Sequence, residues 1–211
     1  MPTLWSTSTV ADGLVFSLDS DYDTARDATS GLGYDNNDAY EANAIRTNYH
    51  RGNYFLGRAF LRFDVSDVHM AAASGTLSVH GIANNGIARV VCVKANQGIT
   101  VTTPDWDAIP GWQTGGGDQT GNVTIYSTGT GSWDASDWND FTLSADALED
   151  IRSNSYFYCV LMDRNNDLRG VAPSSNTSQI NGLYFSESTG LPSVDPKIVY
   201  TDPTMPTGQN A

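Results

Sequence analysis

Three groups of side chains in this 211-residue chain have the types and spacing to do chemistry. The first is Asp19-Ser-Asp-Tyr-Asp23, whose alternating carboxylates could give oxygen ligands to a calcium ion. An EF-hand loop needs Gly at its sixth position and Glu at its twelfth, where Thr24 and Ser30 stand. Only a looser Ca2+ site drawn from Asp19, Asp21 and Asp23 is compatible with that spacing. The second group is Trp106, Trp112, Trp133 and Trp138, all in stretches that read as loops. Flat indole faces there can stack sugar rings, plug the open ends of a sandwich, or meet another subunit. The third is Phe60, set between Arg58 and Arg62 on the less apolar face of a strand. It is expected under a long loop or a neighbouring subunit rather than in water.

Other chemistries fit poorly. There is no Gly-x-Ser-x-Gly elbow, and His50, His69 and His80 lie in contexts that suggest no role in nucleophilic catalysis. His80 alternates outward on its strand and reads as a surface residue. No His or Cys pair has zinc spacing. With 24 acidic residues, some carboxylate pair at glycosidase distance is inevitable and therefore uninformative. Cys92 and Cys159 fall inside strands, where they read as small buried hydrophobes or a cross-strand disulfide. The sequons Asn122-Val-Thr124 and Asn176-Thr-Ser178 read as chance matches. The chain is expected to be no enzyme, with no cofactor beyond a structural Ca2+.

These side chains must be held by strands. In Arg58-Ala-Phe-Leu-Arg-Phe-Asp64, Ala59, Leu61 and Phe63 share one face. Gly75–Gly81 repeats the pattern, with Leu77 and Val79 inward. Further strands are expected at Gly13–Leu18, Ala39–Asn48, Ile87–Lys94, Asn122–Tyr126, Asp140–Leu143, Ser155–Met162, Gly182–Ser186 and Lys197–Thr201. Long loops fill Asp19–Asn37 and Gly98–Thr120. One short helix, Ser144–Arg152, is capped by Ser144, with acids early and Arg152 late. The expectation is an all-β fold, an antiparallel jelly-roll-like β-sandwich of about ten strands. Residues 1–201 form its single domain, and 202–211 a polar C-terminal tail.

The balance of 11 basic to 24 acidic residues gives a formal charge of -13. That field repels phosphate backbones and anionic lipid, so neither nucleic acid nor membrane is an expected partner. No apolar run is long enough to span a bilayer, and Met-Pro-Thr-Leu-Trp-Ser lacks the features of a signal peptide. Synthesis and retention in the cytoplasm are expected.

Taken together, several stretches resemble a known family. They are Arg58–Asp64, Gly75–Gly81, Gly182-Leu-Tyr-Phe-Ser-Glu187 and Asp195-Pro-Lys-Ile-Val-Tyr200. Asp12-Gly13, Ser20–Asp27, Asp105–Trp112, Tyr126 before the Trp133 loop, Asp167-Leu168 and Ala172-Pro-Ser-Ser175 add to them. Across most of residues 10–201 the chain resembles the DNRLRE-type β-sandwich domains, in the variant found in virion proteins of tailed phages. The resemblance implies a jelly-roll-like sandwich in surface, adhesive or virion roles, and some relatives bind polysaccharide. It brings no site residues with it. The expected function is a non-enzymatic bacteriophage virion structural protein, a capsid decoration or head-fibre subunit assembled in the host cytoplasm. Its partners would be other virion proteins and further copies of itself. The alternative is a carbohydrate-binding adhesion module of a tail fibre or surface, with polysaccharide as partner.

Overall fold

A computed structural model describes residues 2–6, 11–36, 40–68, 72–86, 89–129, 131–174, 178–186 and 194–201. The expected tail 202–211 lies outside them. In chain order the strands are β1 (Thr3–Trp5), β2 (Gly13–Asp19), β3 (Gly33–Asp35), β4 (Tyr40–His50), β5 (Asn53–Asp64) and β6 (Ser74–Asn85). They continue with β7 (Val90–Lys94), β8 (Ile125–Ser127), β9 (Trp138–Thr142), β10 (Tyr156–Asp163), β11 (Ser178–Tyr184) and β12 (Lys197–Thr201). Helix α1 (Tyr22–Arg26) follows β2, and α2 (Ala145–Ser153) precedes β10. The fold is all-β, with twelve strands among the described residues where about ten were expected.

Hydrogen bonds join the strands in the order β1-β12-β6-β11-β4-β5-β10-β7-β8, with β9 on β6 and the β2–β3 pair on β5. Two twelve-residue strands, β5 and β6, make this possible by pairing with different neighbours along their lengths. Along β5, Gly57 faces Arg46 of β4, whereas Leu61 faces Cys159 of β10. Strand β6 meets β12 and β9 along its first half and β11 along its second. The sheet therefore wraps over itself, and the inner faces of β5, β10 and β7 meet those of β6, β9 and β12. Ala59, Leu61 and Phe63 pack there with Leu77, Val79, Phe141, Phe157 and Ile198, as their alternation predicts.

A second core lies on the opposite face of β5 and β10. Leu56, Phe60, Val160 and Met162 are covered there by Val101, Trp106 and Ile109, from the long irregular stretch expected at Gly98–Thr120, and by Val123 just after it. Each large side chain so buried contributes roughly 1.5–3 kcal/mol, so the stretch is a second layer of the fold rather than a free loop.

Local chemistry explains the elements. The β4–β5 turn is Arg51-Gly52, with φ of 51° and 85°, and a two-residue hairpin with both φ positive follows the twist of its strands. Ser144 accepts a hydrogen bond from the Ala147 N–H to start α2. Asp21 likewise accepts from the Thr24 N–H to start α1. That helix and β3 occupy what reads in sequence as the loop Asp19–Asn37. Cys92 and Cys159 are free, buried thiols in the inner core, and burial pushes the Cys92 pKa up.

Candidate functional site: an exposed aromatic stripe

The sequence-selected residues separate once placed. Asp21 is committed to capping α1, where it accepts from both the Thr24 N–H and its hydroxyl, and these bonds hold its pKa down. Asp19 accepts from the Asp21 N–H, and the Asp23 carboxylate lies beside Gly116. Among the described residues, no group of three or more His, Cys, Asp or Glu side chains converges as a metal site.

Trp106 is fully buried. Its ring lies 3.9 Å from the Arg58 guanidinium carbon, and its Nε1–H donates to the Arg26 carbonyl. Trp112 is half-buried against the same cations, 4.3 Å from Arg58 and 4.7 Å from Arg26, and donates to Asp27. Trp133 is buried at the end of β6, close to Gly81. Phe60 is also fully buried, under the chain's own outer layer. Trp106, Trp133 and Phe60 therefore cannot meet a glycan or a neighbouring subunit in this fold. Their role is packing, because long-range contacts cover segments that look open in sequence.

Arg58 organises this region. Its Nε and Nη2 bind both oxygens of Asp167 at 2.8 and 2.7 Å, and its Nη1 donates to the Trp106 carbonyl. Arg26 donates to the carbonyls of Asp167 and Gly117. Asp27 accepts from the Gly115 and Gly116 N–H groups, and the Tyr22 hydroxyl donates to the Asn166 carbonyl. Burial, then the Asp167 charge, pushes the Tyr22 pKa far up, so its proton stays in place as donor. Three stretches quoted for the family resemblance, Ser20–Asp27, Asp105–Trp112 and Asp167-Leu168, meet at this lock. Their residue types are those a dry arginine requires: a bidentate carboxylate, carbonyls and aromatic faces.

Trp138 stands apart from the other three. It lies in β9, not in a loop, directly across from His80 of β6. The His80 ring meets Trp138 edge-on at 5.4 Å and Tyr184 of β11 at 5.4 Å. Tyr184 meets Tyr40 of β4 at 5.9 Å. On the other side, Lys197 Nζ stands 3.5 Å above the Trp138 ring and 5.5 Å from that of Trp5. The resulting stripe, Trp5-Lys197-Trp138-His80-Tyr184-Tyr40, crosses the outside of the sheet. At ~4.8 Å per strand it runs roughly 20 Å. Its ends are the most open, with Trp5 41% and Tyr40 58% exposed.

Alternation in β6 shows that His80 points outward. Trp138 is also among the tryptophans that sequence alone selects; Trp5, Tyr40, Tyr184 and Lys197 were not legible, because their proximity depends on β1, β4, β11 and β12 coming together from distant parts of the chain. The stripe offers aromatic faces, one ammonium and one imidazole. Flat aromatic faces beside donor groups are a lining suited to binding. A scan against protein-family models and a search of curated proteins both give no match to the chain.

Proposed function

We propose that the chain is a non-enzymatic structural subunit of a phage virion surface, a capsid decoration or head-fibre protein, whose aromatic stripe is its attachment face. The observation that carries the attachment reading is the stripe itself. Aromatic rings left half-open to water on a rigid sheet keep their faces available to a partner. The partner chemistry that fits is the carbon face of a neutral sugar chain, since a net charge of -13 opposes polyanions. The virion assignment is supported by the sequence resemblance and by a scaffold whose long irregular segments are pinned to the sheet. The second reading, a tail-fibre or cell-surface carbohydrate-binding module, is favoured by the same stripe and differs in where the subunit sits.

Copy number per purified particle tests the assignment. On the order of hundreds of copies in a closed symmetric arrangement fits capsid decoration, and about a dozen fits a tail or fibre position. Absence from purified particles overturns the virion reading and leaves the adhesion module.

A further inference from the structure

A half-open groove of about 200 Å3 lies on the inner sheet face where it extends between β2, β4 and β5. Leu14, Phe16 and Phe55 form its apolar walls. The floor at Gly57 is close-packed: a methyl there would stand 3.2 Å from the Asn43 carbonyl oxygen and from Leu14 Cδ1, and 3.3 Å from Arg46 Cβ. Arg46 closes one side, its guanidinium carbon 4.5 Å from the centre of the Phe55 ring. Its Nε is buried without a hydrogen-bond partner. It also takes no part in the ion pairs found among the described residues.

Glu41 lines the same groove but does not pair with Arg46. Its Oε1 accepts from the Asn43 N–H at 2.7 Å and from Asn43 Nδ2 at 3.1 Å. Burial pushes the Arg46 pKa down and the nearby Glu41 charge offsets this only in part, so a second carboxylate would favour its charged form. A planar guanidinium held against a ring presents its donors as a fork that matches a carboxylate. The walls beside it favour apolar surface, and a cavity of about 150 Å3 is enough for a benzene-sized body.

We propose that this groove binds a small free carboxylic acid with a compact apolar body, the carboxylate on Arg46 and the body between Phe16 and Phe55. The site is separate from the stripe, and the inference holds whether or not the protein belongs to a virion.

Calorimetric titration of the intact protein with phenylacetate tests it, with benzyl alcohol (body without charge) and acetate (charge without body) as controls. Phenylacetate should bind at least tenfold more tightly than either control. Arg46→Gln should weaken binding at least tenfold without shifting the melting temperature. Glu41→Gln should tighten binding several-fold by removing a like charge, which keeps the test decisive if Arg46→Gln does not fold. Phenylacetate binding no better than the controls, or unchanged by Arg46→Gln or by Glu41→Gln, overturns the proposal. A peptide C-terminus mimic, N-acetylphenylalanine, binding tenfold more tightly than phenylacetate would overturn the assignment to a free acid.

Discussion

The lock and the stripe both place cations on tryptophan rings, and solvent separates their roles. In the lock, Arg58 lies 3.9 Å from Trp106 and 4.3 Å from Trp112, and it has no exposed surface. In the stripe, Lys197 lies 3.5 Å from Trp138, but the surrounding rings are half-open. The lock adds a bidentate Asp167 and backbone carbonyls, because a desolvated guanidinium must have its donors filled. The stripe needs no such partners, because water supplies them. Arginine meets the first demand with five donors in a plane, whereas lysine needs only a stem that lies along a ring. Similar residue types thus fasten the fold in one place and leave a surface free in another.

The comparison is broken most readily from its buried side. Asp167→Ala strands Arg58 in a dry site and is expected to cost about 3–5 kcal/mol by denaturant titration. A loss under about 1 kcal/mol would mean that the lock does not hold the outer layer. The base of the lock should also respond to acid. Asp163 starts the helical turn that carries Asp167, accepting from the Asn165 and Asn166 N–H groups, and burial pushes its pKa up to about 6. Because the folded value is raised, its contribution is fully present below about pH 4 and is lost as pH rises through 6. Stability should therefore grow by roughly 1–2 kcal/mol from pH 7 to pH 5. Asp195, also pushed up to about 6 by desolvation and then by Asp12, acts in the same direction but is more exposed. Asp163→Asn should remove most of the gain, and an unchanged pH profile in that variant would detach the lock from this titration. On the exposed side, Lys197→Met should change stability by at most about 0.5–1 kcal/mol, the scale of a solvated cation on a ring. A larger loss would place the stripe with the lock as part of the fold.

The inner core was legible because period-2 alternation needs no partner to be read: Ala59, Leu61 and Phe63 declare one face by themselves. Helix α2 was legible from Ser144, its acids and Arg152. The lock was not, because Arg58 and Asp167 are 109 residues apart and each looks solvated in its own neighbourhood. Trp138 was read as loop because Gly, Ser and Asp precede it, although pairing with β6 makes it a strand. Within Asp19–Asn37, α1 was hidden by its five-residue length, too short for a helical period to show. The stripe was the least visible feature: of its members only Trp138 stands out as a candidate contact in sequence, and sheet order brings the rest to it.

The most direct measurement pairs affinity electrophoresis in gels of neutral polysaccharides with thermal melting, on Trp138→Ala and Trp106→Ala. Trp138→Ala should lose the retention shown by the unmodified protein while melting within the range of a surface substitution. Trp106→Ala should instead lose about 3–5 kcal/mol of stability. No retention by any neutral polysaccharide, or retention unchanged in a folded Trp138→Ala protein, would contradict the attachment role of the stripe.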